Sequence, residues 1–174
     1  MTDFDRQKHW EHLYQTTDTS TKSWYQSVPK ISLSFFKENK IPLSAKIIDV
    51  GGGDSFLVDQ LLDLGYQNIT VLDISAAAIG KTKKRLGENA DKVQWLINDA
   101  ADFLPEDTYD VWHDRATFHF LTNKNEINHY VTTAAKHIRP GGRMMIGTFS
   151  TDGPQKCSGI LIQQYSAESL SQLF

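Results

Sequence analysis

Ile47-Ile48-Asp49-Val50-Gly51-Gly52-Gly53-Asp54-Ser55 reads as a short β-branched strand that runs into three glycines and then into the start of a helix. Glycines at such a turn let the backbone pass close to a ligand where a side chain would clash, and the helix start beyond offers free N–H groups. As a G-x-G-x-x-G pattern the stretch fails. Gly51 and Gly53 fit, but Phe56 stands where the last glycine permits close helix–strand packing in dinucleotide sites. Asp49, inside the strand end, is unfavourable to a pyrophosphate and suits a cationic ligand. Alone, the turn is also compatible with a purely structural role.

Outward from this turn, strands alternate with helices. Strands are expected at 46–50, 68–72, 93–97, 109–113 and 143–149, and helices at 55–64, 75–86 and 123–137. Gly65 and Gly87 are natural helix stops, Ser75 and Asn123 natural caps, and Pro140-Gly141-Gly142 a turn. Before the core lie a short helix at 3–15, a polar loop at 16–23 and a helix from Pro29 to about Asn39; a last helix starts near Ser166. Such alternation predicts an α/β, Rossmann-like, doubly wound parallel sheet with helices on both faces, its ligand beyond the carboxyl ends of the strands.

Composition narrows the function. The 174 residues suit one domain, 1–174, with 40% hydrophobic residues to build a core. Eighteen Lys and Arg against 21 Asp and Glu lack the basic excess of a phosphate-binding nucleic-acid protein. Lys81, Lys83, Lys84 and Arg85 cluster, but such a run is ordinarily a solvated helix face. One cysteine, Cys157, excludes an intrachain disulfide and, with no signal-type or bilayer-spanning apolar run, leads to the expectation of a soluble cytoplasmic protein without a membrane partner. His9 and His12 have helical spacing but no third ligand, so no metal is expected.

Two further acids stand at strand ends. Asp73, 20 residues after Gly53, can accept both hydroxyls of a ribose or serve as an N-terminal helix acid before Ser75. Asp99, in Asn98-Asp99-Ala100, can accept from an adenine amino group or be an ordinary loop acid.

Together Asp49, Gly51, Gly53, Asp73 and Asp99 resemble the class I S-adenosylmethionine-dependent methyltransferases, in order and spacing, across residues 46–149. The resemblance implies strand order 3-2-1-4-5 and S-adenosylmethionine as cofactor, with S-adenosylhomocysteine as product. It also implies a cofactor-binding set of Trp24, Asp49, Gly51, Gly52, Gly53, Asp54, Asp73, Ile74, Asp99, Ala100 and Asp114. Tyr109-Asp110-Val111-Trp112-His113-Asp114-Arg115-Ala116-Thr117-Phe118, with Trp10-Glu11-His12-Leu13-Tyr14 and Trp24-Tyr25-Gln26, resembles thiopurine S-methyltransferase-like proteins. In that group the aromatic N-terminal segment closes over the cofactor, which implies a lid at 1–40 here. Many bacterial methyltransferases share this shorter pattern, so it does not specify a thiopurine.

Methyl transfer is an in-line displacement in which the protein mainly aligns the reactants. Arg115 is the candidate contact to an anionic or electron-rich acceptor, or else a salt-bridge partner of Asp114. His113 and His119 are candidate bases, or else packed pocket-wall residues. The expected acceptor is a small molecule with a sulfur, oxygen or nitrogen nucleophile. The rivals are a protein lysine methyltransferase of the same fold and a non-catalytic binding module for either adenosyl compound. A nicotinamide enzyme is disfavoured by Phe56, and a nucleic-acid methyltransferase by Asp114-Arg115-Ala116 after the fourth strand.

The resemblance also implies an antiparallel hairpin after the fifth strand, whereas the chain stops at Phe174, close to a helix. The expectation is a shortened C-terminal part, 150–174, without that hairpin, leaving strand 143–149 as an open edge that could pair two copies. A truncated chain, a naturally short one and an edge covered by another chain all fit.

Overall fold

The computed structural model describes residues 4–174, so the first residue of the helix expected from residue 3 lies outside the described part. Five parallel strands form one sheet: β1 Lys46–Val50, β2 Asn68–Asp73, β3 Val93–Ile97, β4 Tyr109–Arg115 and β5 Ile138–Gly147. Their spatial order is β3-β2-β1-β4-β5, the order that the resemblance implies. The order reverses beside β1, so the carboxyl end of β1, where the glycines begin, faces the crevice of the fold.

Each strand buries alternate residues on opposite faces. Ile47, Val71 and Val111 pack against Phe36 of α2 (Lys30–Glu38) and against Leu57 and Leu61 of α3 (Leu57–Asp63). Ile48, Val50, Leu72 and Trp112 pack on the other face against Tyr130 and Ala134 of α5 (Lys124–His137). Phe36, wholly buried, is a sensitive point: Phe36→Ala costs about 3–5 kcal/mol. α4 (Ala76–Leu86) begins where the Ser75 hydroxyl accepts the Ala78 N–H and ends at Gly87, whose φ of 57° few side chains tolerate. α1 (Arg6–Thr16) lays Trp10, Leu13 and Tyr14 over Ala78 and Phe120 and so roofs one end of the sheet.

The structure departs most from expectation at the start of α3, at the start of β5 and in the segment after β5. α3 starts at Leu57 rather than Ser55, because the Ser55 hydroxyl accepts the Leu57 N–H and lies outside the helix. β5 starts at Ile138, before Pro140-Gly141-Gly142. The turn is present, but as a bulge inside the strand: Tyr109 faces Ile138 and Val111 faces Arg143, with Gly141 at φ 81°. A two-stranded antiparallel sheet, β6 (Lys156–Cys157) with β7 (Ile160–Leu161), follows before α6 (Ala167–Ser171). It stands apart from the main sheet, so among the described residues β5 pairs with no strand but β4. No described helix is long and apolar enough to cross a membrane.

Candidate functional site

A cavity of about 990 Å³, counted out to its open mouth, lies at the carboxyl ends of β1, β2, β3 and β4 under the N-terminal segment. The loop after β1 forms its floor. Gly51, at φ 71°, donates its N–H to Leu72 O at 2.7 Å and ties the loop to β2. Gly53 lies so close to its neighbours that a Cβ there would stand 2.5 Å from Asp73 Oδ2 and 2.6 Å from Ala78 Cβ. The close loop–helix approach assigned in dinucleotide sites to a third glycine is thus made here at Gly53. Phe56 instead carries the Arg85 guanidinium 4.0 Å above its ring.

Four carboxylates line the cavity: Asp49, Asp54, Asp73 and Asp99. Asp73 accepts the Gly53 N–H at 2.9 Å on Oδ2 and the Ser75 N–H at 2.8 Å on Oδ1, which leaves further acceptor capacity on both oxygens. Burial pushes its carboxyl up to about 6, against the lowering effect of those two N–H groups. Asp49 is 2% exposed and its Oδ2 has no protein partner. Asp54 accepts from Thr19 Oγ1 at 2.7 Å and from Arg85 at 3.0 Å. Asp99 accepts from the Ala101 N–H and from Arg6, whose other amino nitrogen reaches both oxygens of Glu126.

The roof is aromatic. Trp10, Tyr14, Trp24, Tyr25 and Phe120 face the cavity beside Arg6. Polar links besides Arg6 hold this segment down: Glu11 accepts from Ser75 Oγ and the Ala77 N–H, Thr19 donates to Asp54, the Trp24 carbonyl accepts from Arg115 at 3.0 Å, and His9 and Trp24 reach Ser158. Acids below and aromatic faces above suit a ligand that carries positive charge and hydroxyl or amino donors.

Of the residues predicted from sequence, Trp24, Asp49, Gly51, Gly52, Asp54, Asp73, Ile74, Asp99, Ala100, His113 and Arg115 line the cavity. Three others, Gly53, Asp114 and His119, do not. Gly53 turns its α-carbon toward Asp73 and α4. Asp114 is a correction: it is wholly buried on the α5 face, where Oδ1 accepts the Thr117 and Phe118 N–H groups and Oδ2 accepts from Tyr130 at 2.6 Å. Burial pushes Asp114 up to about 6, and no ion pair joins it to Arg115.

His113 as a base is a second correction. Its Nδ1 lies 2.7 Å from Asp49 Oδ1 and its Nε2 2.9 Å from Ser32 Oγ, so neither nitrogen is presented to a ligand. His119 is buried away from the cavity, its ring nitrogens unpartnered, and burial lowers it to about 4. Sequence reasoning missed Arg6 and Ser32. Arg6 shares a face of α1 with Trp10, Leu13 and Tyr14 at i+4, i+7 and i+8, and that spacing was available as a signal. Ser32 stands one turn before the buried Phe36, but nothing local distinguishes it from a solvated helix serine.

The model of the family described as "Methyltransferase domain" matches residues 48–144, more than half of the chain. The mouse (Mus musculus) "eEF1A lysine and N-terminal methyltransferase" is 27% identical over 150 residues, which cover 82% of this chain and 21% of that protein. The chain spans less than half the length of each curated relative it is compared with, from 21% to 42%. Among solved structures, one described as "Conversion of a Disulfide Bond into a Thioacetal Group during Echinomycin Biosynthesis" superimposes with a TM-score of 0.75 at 19% identity, over 97% of this chain and 77% of that one. The glycopeptide N-methyltransferase MtfA complexed with S-adenosyl-L-methionine gives 0.59 at 18% identity, over 70% and 54%. At these identities the likeness is one of fold.

Proposed function

The chain belongs to the methyltransferase domain family, and from that premise we propose that its cavity binds S-adenosylmethionine and that the chain transfers the methyl group to a small-molecule acceptor. The observation that carries the reading is the placing of Asp49, Asp73 and Asp99 at the ends of three adjacent strands around one cavity. Asp73, held by two backbone N–H groups, accepts the ribose hydroxyls. Asp99 and Ala100 border the adenine, and Ile74 packs against it. Asp49 Oδ2, buried and unpartnered, accepts from the ammonium of the amino-acid part. Gly51 and Gly52, with Asp54 beside them, line the path of that part, and Gly53 keeps the loop close to Asp73. The structure of MtfA with the same cofactor supports the reading through its shared fold.

Bound S-adenosylmethionine supplies an electrophilic methyl and a neutral thioether leaving group. The chain's own residues orient and enclose. Trp24 and Tyr25 exclude water from the cavity mouth. Arg115 holds the acceptor: one amino nitrogen donates to the Trp24 carbonyl, and no described carboxylate pairs with the guanidinium, so its other N–H groups face an anionic or electron-rich group. Held in this way, an acceptor would present its lone pair to the methyl group, the cofactor would supply the thioether leaving group, and a proton on the acceptor would leave through the open side of the cavity. No side chain is assigned as the base.

The likeness to the mouse protein favours one second reading, a protein lysine or N-terminal acceptor. Transfer of a labelled methyl separates the two. The small-molecule reading expects label in thiols, carboxylic acids or amines of low mass, reduced by Arg115→Met. Label confined to protein substrates would replace it with the second reading, and no transfer to either would leave a binding module.

A further inference from the structure

We propose that His113 and Ser32 are positioning residues that aim Asp49 at the amino-acid part of the cofactor; the inference rests on the cofactor reading above. The three side chains form one buried line: Ser32 Oγ, 2.9 Å to His113 Nε2, then His113 Nδ1, 2.7 Å to Asp49 Oδ1. None is more than 2% exposed. One tautomer satisfies both contacts: Nδ1–H donates to the carboxylate and the Ser32 hydroxyl donates to Nε2.

Three elements converge to build the line. Asp49 and His113 are register partners on β1 and β4, so their side chains leave the sheet on the same face. That face is covered by α2, which brings Ser32 down one turn before Phe36. Three polar groups in an otherwise apolar layer carry a desolvation cost unless each is partnered. Every heteroatom in the line has a partner except Asp49 Oδ2. Asp49 lines the cavity, and its unpartnered oxygen can only accept. With Oδ1 held by imidazole, the carboxylate cannot turn, and Oδ2 keeps one direction before any ligand arrives. A fixed acceptor removes part of the ordering cost of binding, and a primary ammonium is the donor that gains most from it. His113 therefore acts through Asp49 and not on the acceptor.

The test compares S-adenosylhomocysteine with 5′-methylthioadenosine, which keeps the adenosine and thioether but lacks the amino-acid part. Calorimetric titration of the wild-type chain is expected to show tighter binding of S-adenosylhomocysteine. His113→Leu is expected to weaken that compound about tenfold, the scale of one hydrogen bond to a charged group, and to leave methylthioadenosine within about twofold. His113→Asn, whose amide N–H can replace Nδ1–H, is expected to retain most of the preference. Ser32→Ala is expected to reduce it about threefold, the scale of a neutral hydrogen bond. This variant, with His113→Asn, keeps the test decisive if His113→Leu lacks the native circular-dichroism spectrum. Equal losses for both compounds, or an unchanged preference in all three variants, would overturn the positioning role while leaving the cofactor reading intact. Failure of the wild type to bind either compound would instead overturn the cofactor reading and this inference with it.

Discussion

Asp49 and Asp73, on the cavity floor, are held by the sheet and the turns that leave it, whereas Asp54 and Asp99, at the rim, are held by side chains arriving from helices. On the floor the partners are the backbone N–H groups of Gly53 and Ser75 and the imidazole of His113. At the rim they are the side chains of Thr19, Arg85 and Arg6, with the Ala101 N–H also on Asp99. The difference teaches that the backbone contacts of the floor are complete once the sheet and its turns have folded, while the Thr19 and Arg6 contacts of the rim depend on the N-terminal segment lying in place. The floor acids are buried and insulated from salt. The Arg6–Asp99 pair is a fifth to a quarter exposed and open to screening.

The largest expected effect is at the floor. Asp73→Ala removes the ribose acceptor and strands two buried N–H groups, so S-adenosylhomocysteine affinity should fall by about 1–3 kcal/mol and chemical-denaturation stability should fall with it. Undiminished affinity in titration would break the assignment of Asp73.

The next effect separates the regions by pH. Buried Asp73 and Asp114 lie at about 6, above the ordinary value of 3.8. A raised folded value means that each favours the fold below about pH 4, and that this contribution is lost as pH rises through about 6. Asp114→Asn removes one share. The stability of the wild type minus that of the variant should therefore decrease by about 1–3 kcal/mol between pH 4 and pH 8 in urea titrations. A difference independent of pH would show that Asp114 is ionised without penalty.

Smaller effects belong to the rim. Arg6→Ala should speed hydrogen exchange of α1 amides about fivefold, the scale of about 1 kcal/mol for a bidentate, partly exposed pair, and leave β1 and β4 unchanged. High salt should do part of the same to the wild type; equal acceleration in β1 would erase the distinction between floor and rim. Glu11→Gln should act in the same direction by about 0.5 kcal/mol, since Glu11 is a half-buried charge at the N-terminus of α4 and glutamine keeps the acceptor oxygen. The Glu11 carboxyl is held below its ordinary value chiefly by the Ala77 N–H. Exchange in Glu11→Gln as fast as in Arg6→Ala would reverse this order.

The acids of the cavity were legible in the sequence and the side chains that hold them were not, for physical reasons. Strand-ending acids and glycines are read from local pattern, and Asp49, Asp73 and Asp99 reach one cavity because parallel strands bring their carboxyl ends together. His113 and Asp114 show the limit of that reading. Adjacent on β4, they project to opposite faces, one to Asp49 and the other to Tyr130, and a strand alternation carried through from Val111 would have parted them. Ser32 and Arg6 act across 81 and 93 positions of sequence, distances over which only tertiary packing decides contact. The bulge at Pro140-Gly141-Gly142 was legible as a turn, but its place inside β5 depends on the register with β4.

The central claim is that this cavity holds an adenosyl cofactor bearing an amino acid. Parallel calorimetric titration with S-adenosylmethionine, S-adenosylhomocysteine and NAD tests it most directly. Micromolar, one-to-one binding of the first two and none of the third is the predicted result. Binding of NAD, or of neither adenosyl compound, would contradict it.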